Sequence, residues 1–153
     1  MVKYEVLPTT TEHILELSRT IRDADRDEVW AISHLSPLVV LEASVARALM
    51  SYTGLADGKV LAIFGLGTVT MLSNITIPWM LTSNEIFSHT FVFLRYSKMW
   101  IEEIRKQYPL LVNYIDGRYI GAIKWARWLG FTIGPALPLG PDKVLFHRIE
   151  MRT

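Results

Sequence analysis

The sequence predicts an α+β fold in which a mixed central β-sheet is flanked by helices, with residues 1–153 forming one domain. Three observations carry this reading. Segments of two-residue and of helical periodicity follow in the order strand, helices, three strands, helix, strand, helix, strand pair. Half of the residues are apolar, which excludes a disordered chain and is enough to fill a core at this length. No internal repeat and no interdomain linker interrupts the order.

Val2–Leu7 alternates as a first strand, and Pro8 ends it. Thr9, Thr10 and Thr11 offer caps for a helix over Glu12–Ile21, with Ile14, Leu15 and Leu17 as its apolar residues. Asp25, with Glu28 three positions on, has capping-box spacing and opens a short helix through Val29, Trp30, Ala31 and Ile32. The charge run from Arg22 to Glu28 then reads as a solvated helix start. Ser36 and Pro37 open a second helix, as N-cap and first residue, running to about Ser51. Tyr52–Ala56 and Lys59–Leu66 flank Asp57-Gly58, the strongest hairpin signal in the chain.

Asn74–Leu81 is a further strand, with Pro78 expected at a bulge or on a side free of ladder bonds. Ser83, Asn84 and Glu85 cap a helical turn before the longest helix, Thr90–Tyr108, which Pro109 stops. Its core side carries Phe93, Trp100, Ile101 and Ile104. The buried-looking strand Leu110–Ile115 breaks at Asp116-Gly117 into a helix over Tyr119–Leu129, closed by Gly130. Phe131 starts another strand, Gly134–Pro141 reads as a loop, and Val144–Met151 is the final strand. A strand turning sharply into a helix gathers N–H groups and side chains at one spot, so the stretch around Asp116 is where a ligand is expected.

Composition excludes several functions. A net charge of +1, from 16 basic and 15 acidic side chains, gives no reason to expect nucleic acid or an anionic membrane as partner. The absence of cysteine removes disulfides, thiolate metal sites and a Cys nucleophile. No apolar run reaches the roughly 18 residues of a membrane span, and the expectation is a soluble protein of the cytoplasm. His13, His34, His89 and His147 are scattered, so no metal site is expected. Basic residues on the two later helices are interleaved with Glu102 and Glu103, the pattern of a solvated face. Trp125 and Trp128, three apart on a short helix, suit a protein–protein interface.

The segment Tyr119–Phe131 resembles the GNAT acetyltransferases, which carry Asn-x-x-Ala-Ile-x-Leu-Tyr-x-x-x-Gly-Phe there. Ala122, Ile123, Gly130 and Phe131 match in register, with Trp125 at the Leu position. The chain as a whole resembles GNAT-like proteins of tailed bacteriophages, some of them internal virion proteins. The pieces that carry this are Ile21-Arg22-x-Ala24-Asp25-x-x-Glu28-Val29, Asp57-Gly58, Pro78-Trp79-x-Leu81-Thr82 and Tyr108-Pro109-x-Leu111-x-Asn113-Tyr114. The resemblance implies a GNAT fold and, with it, acetyl-CoA as cofactor.

Other positions depart from the GNAT pattern. GNAT enzymes present Arg/Gln-x-x-Gly-x-Gly/Ala between their fourth strand and the following helix, where backbone N–H groups close on the pyrophosphate. Here that region is Leu81–Thr90, without glycine and with Glu85 inside it. The cofactor-contacting Asn falls on Tyr119 and the general-acid Tyr on Ala126. Two readings follow. In one, a phage-encoded GNAT-like protein with degenerate catalytic machinery acts through contacts with a phage or host protein, as a virion or morphogenesis component. It would reside in the host cytoplasm and in the particle, with oligomerisation open. In the other, an active N-acetyltransferase with replaced groups modifies a protein or a small amine. Its base is Asp116 or Glu28, and Tyr114 or Tyr119 replaces the lost acid. Leu81, Thr82, Ser83, Ser88, His89, Thr90, Asn113 and Tyr119 are then the cofactor-binding candidates. Asp116-Gly117 reads equally as a plain turn, and Ser88, His89 and Thr90 as a helix cap.

Overall fold

The computed structural model describes residues 1–70 and 72–153. Strand β1 (Tyr4–Pro8) leads into α1 (Thr11–Thr20). Thr10 caps α1 reciprocally: its hydroxyl accepts from the His13 N–H, and its own N–H donates to His13 Nδ1. Pro8 ends β1 from inside the strand, which is tolerated because β1 lies at an edge of the sheet. Helix α2 (Asp23–Ser33) starts two residues before the expected cap. Its N-cap is Arg22, without a side-chain bond, and Asp25 sits inside the first turn and is buried. The charge run is therefore no simple solvated start.

Helix α3 (Pro37–Arg47) begins as expected, the Ser36 hydroxyl accepting from the Val39 N–H. It stops short of Ser51 because Met50 already belongs to β2 (Met50–Ala56). Asp57 (φ 48°) and Gly58 (φ 79°) both adopt the left-handed region that a two-residue hairpin requires before β3 (Lys59–Thr68). Next come β4 (Ile75–Thr82) and a 3₁₀ helix over Asn84–His89. Helix α4 (Thr90–Ile104) is shorter than the predicted Thr90–Tyr108, residues 105–107 turning before Pro109. β5 (Leu110–Asp116) and α5 (Ile120–Leu129) follow, with Gly130 as the left-handed cap (φ 111°).

The predicted loop Gly134–Pro141 is mostly strand, β6 (Thr132–Leu139), paired with β7 (Val144–Arg152). Pro135 and Pro138 suggested a loop. They are compatible with a strand here because β6 is the other edge of the sheet, and its register breaks between Ile133 and Ala136.

Among the described residues seven strands form one sheet in the order β1-β2-β3-β4-β5-β7-β6, antiparallel except between β4 and β5. One face packs on α1 and α3, where Ile14, Leu17 and Leu41 meet Leu55, Val60 and Ile63. The other packs on α4 and α5, where Ile101, Ile104, Ala126 and Leu129 meet Leu66, Leu111 and Ile149. No single helix among the described residues is long and apolar enough to cross a membrane.

Candidate functional site

β4 and β5 pair at only two positions, Ile75 with Leu110 and Thr76 with Leu111, and then diverge. Pro78 sits just past the last pair, so its missing N–H interrupts no ladder between them. Asn113 bridges the gap, its Nδ2 donating to the Pro78 carbonyl at 2.6 Å. Behind this bridge, on the side of α4 and α5, lies a cavity of about 560 Å³. Apolar residues wall most of it, and its polar groups include Arg22, Asp25, Glu28, Asn113, Tyr114, Arg118 and Tyr119, with Thr82 and Thr90. Trp79, Phe87 and Tyr119 are among the large side chains that line it. Trp79 packs partly against the α1/α3 cluster, and Phe87 is exposed.

Asp116 is fully buried, and Arg118 takes both its oxygens: Nε lies 3.0 and 3.1 Å from them and Nη2 2.6 Å from Oδ2. The Arg118 N–H donates to Oδ1 as well, at 3.0 Å. Asp116 is thus the closed centre of its own turn and does not line the cavity. Glu28 does. Its Oε2 accepts the Asp116 N–H at 3.2 Å. Burial pushes its carboxyl up to about 7, helped by the charges of Asp25 and Asp116 and opposed by the Asp116 N–H and Arg22. Of the two sequence-named bases, the one that lines the cavity is Glu28.

The far end of β4 is closed from a distance. Asp25 Oδ2 accepts the Thr82 N–H at 2.7 Å and the Thr82 hydroxyl at 3.1 Å, while Oδ1 accepts from Arg22 Nη2 at 2.7 Å. The Arg22 N–H donates to the Thr82 carbonyl at 2.8 Å. Sequence reasoning missed Asp25, Arg22 and Arg118 as site residues. A basic residue two places after Asp116 was a usable sign of the turn; no sign linked Asp25 to a strand 57 positions away.

Of the eight sequence-named cofactor residues, the structure brings Thr82, Thr90, Asn113 and Tyr119 to the cavity. The other four lie outside it. Leu81 packs toward the α1/α3 cluster, and Ser83 is fully buried with its hydroxyl unpartnered. Ser88 is exposed on the 3₁₀ helix, and His89 Nδ1 lies 2.6 Å from the Tyr4 hydroxyl. The Tyr119 hydroxyl donates to Asp27 Oδ2 at 2.9 Å; burial and that bond hold its pKa up to about 12. Such a phenol is a poor acid at neutral pH. Tyr114 lines the cavity and is partly exposed. No group of three or more metal-ligating side chains occurs among the described residues.

No protein-family model and no curated protein sequence matches the chain. Solved structures do. A protein assigned as an acetyltransferase from Acinetobacter baylyi superposes with a TM-score of 0.76 at 12% identity, over 100% of this chain and 93% of that one. An N-acetyltransferase from Staphylococcus aureus gives 0.74 at 14% identity, over 98% of both chains. The fold is that of the GNAT acetyltransferases. A third GNAT-fold neighbour, assigned as an acetyltransferase from Salmonella typhimurium, was solved with acetyl-CoA; it gives 0.71 at 12% identity, over 97% of this chain and 93% of that one.

The residues of this GNAT fold do not fit the same cofactor well. Because Thr82 turns its N–H and carbonyl away from β3, alternation along the strand turns Met80 and Pro78 the same way. These three positions are the main-chain edge that a pantetheine arm, with its two amides, would meet. Pro78 has no N–H and its carbonyl is taken by Asn113; both groups of Thr82 are taken by α2 and its cap. Only Met80 remains. Beyond it the chain coils into a glycine-free 3₁₀ helix with Glu85 exposed in its first turn, which is unfavourable for two phosphates.

Proposed function

We propose that this chain is a phage-encoded protein of GNAT fold whose catalytic machinery is degenerate, and that it acts through contacts with a phage or host protein as a virion or morphogenesis component. The observation that carries this is the Asp25–Thr82 closure, which puts a buried carboxylate on the strand end where main-chain donors would have to be free for a nucleotide cofactor. The phage assignment rests on the sequence resemblance, whose Arg22-x-Ala24-Asp25-x-x-Glu28 and Pro78-Trp79-x-Leu81-Thr82 pieces include both partners of that closure. Exposed Phe87 on the 3₁₀ helix, Phe91 at the start of α4, and half-exposed Trp128 on α5 supply surface suited to a protein partner. The place of action follows from the same assignment: the host cytoplasm and, from there, the particle.

Calorimetry and thermal unfolding with acetyl-CoA and coenzyme A test this. A ligand at a hundred times its Kd stabilises by about 2.7 kcal/mol, several degrees for a chain of this size. The expected result is no heat and no shift at millimolar cofactor. Micromolar binding overturns the reading.

One observation favours a second reading, an active N-acetyltransferase with non-standard groups: Glu28, with its carboxyl near 7, faces an open cavity. Turnover of acetyl-CoA with an amine, lost in Glu28→Gln, would establish it.

A further inference from the structure

A second cavity, of about 320 Å³, lies between α4 and the β1–β3 part of the sheet, away from the splay of β4 and β5. Its floor is one cross-strand row, Val6–Gly54–Ala62, in which two of the three residues have next to no side chain. The usual reasons for a glycine inside a strand do not apply to Gly54. Its φ is not positive, so neither the backbone nor the bulge that follows it at Leu55 calls for one. A Cβ there would meet nothing within 4 Å among the described residues, whereas one at Gly65 would strike the Met50 carbonyl. A strand glycine that no neighbouring backbone needs leaves room for a ligand. Above this floor the walls are rings. Phe64 is buried and meets Tyr96 edge-on at 6.1 Å, and Phe93 joins them from α4. Ser97, also in the wall, already uses its hydroxyl on the Leu94 carbonyl and the Trp125 Nε1–H. Burial raises the pKa of Tyr96, which stays a neutral phenol. Glu5 is the one charged side chain in the lining among the described residues, and Lys3 lies 3.7 Å from it. The space offers ring edges and a flat apolar floor, and no unmatched charge.

We propose that this cavity binds an uncharged molecule of one or two fused rings, seated on Gly54 and Ala62 and held edge-on by Phe64, Phe93 and Tyr96. An apolar cavity of about 150 Å³ is enough for benzene, so about 320 Å³ takes a bicyclic ring of indole size. This site stands whether or not the β4–β5 cleft takes coenzyme A. Met80, Ile86 and Phe93 wall both spaces, and the experiment therefore separates them.

The test is an NMR titration of the full chain with indole, followed through the backbone amides, with indole-3-acetate as the charged probe of the same ring. Kd for indole is expected below about 1 mM, with the largest shifts at Gly54, Ala62 and Tyr96. Indole-3-acetate would carry a carboxylate into an apolar space beside Glu5, and is expected to bind at least about tenfold more weakly. Gly54→Ile fills the floor with a β-branched side chain that suits a strand. It is expected to keep the fold by circular dichroism and to abolish indole binding. Ala62→Val narrows the same floor from β3 and is expected to weaken binding at least about fivefold, which keeps the site testable should Gly54→Ile not fold. Gly121→Leu obstructs the β4–β5 cleft, where a Cβ meets nothing within 4 Å, and is expected to leave indole binding unchanged. No shifts at millimolar indole, equal binding of indole-3-acetate, unchanged binding in a folded Gly54→Ile or in Ala62→Val, or loss of binding in Gly121→Leu would each overturn the proposal.

Discussion

The two strands that frame the cleft end in the same way chemically and in different ways structurally. Each end is met by a buried carboxylate paired with an arginine. At β5 the carboxylate, Asp116, belongs to the strand itself, and its arginine comes two residues later. At β4 the carboxylate comes from α2, and it takes a main-chain N–H that no strand has claimed. A turn closed by its own residues leaves the space in front of it free. A closure supplied from elsewhere occupies the donors that a ligand would use. The β5 end therefore leaves the space in front of it open, and at the β4 end the main-chain groups of Thr82 are taken by α2 and its cap.

Removing the two carboxylates in turn tests this contrast most strongly. Asp25→Ala leaves the Thr82 N–H unpaired in a buried site and strips Arg22 of its partner, an expected cost of about 3–4 kcal/mol in urea unfolding. A cost below about 1 kcal/mol would show that the β4 end is not closed in this way. Glu28→Gln, between the two ends, acts in the opposite direction. Glu28 holds its proton more tightly folded than unfolded, so stability falls as pH rises from 4.5 to about 7 and is level above that. The glutamine keeps an acceptor for the Asp116 N–H and is expected to be more stable than the parent by about 2 kcal/mol at pH 8, with no difference at pH 4. Equal stability at both pH values would place the carboxyl in water.

Asp116→Ala should cost less than Asp25→Ala, about 1–2 kcal/mol, because Arg118 is half exposed and can turn to solvent. Equal costs would erase the contrast. The smallest effect is expected for Asn113→Ala, which removes one bridge across the splay, about 1 kcal/mol, and should leave the β5 turn intact by chemical shift.

What the sequence made legible follows the same division. Asp57-Gly58, Ser36-Pro37 and Gly130 each specify local backbone geometry, and the structure places a hairpin, a helix start and a helix cap there. The periodicities gave the element order, and the segment Tyr119–Phe131 gave the fold. Errors arose where distant parts decide the outcome. Asp25 looks like a cap because its neighbours suit one, yet a strand end elsewhere in the chain draws it inward. Pro135 and Pro138 look like a loop because proline breaks ladders, and only their position on a sheet edge makes them tolerable. Asp116 reads as a base from its place at the end of β5, and nothing local shows that Arg118 takes both of its oxygens.

The strand order has a consequence for how the chain is made. β7 is synthesised after β6 but lies between β5 and β6, pairing with β5 along its whole length, whereas β4 holds β5 at only two positions. The antiparallel run from β1 to β4 can assemble as it emerges, each strand finding its predecessor. β5 cannot. At roughly 5–20 residues per second, about 2–7 s separate the end of β5 from the end of β7. During that interval Leu110, Leu111, Val112 and Ile115, all buried in the finished sheet, lack the β7 strand that pairs with them.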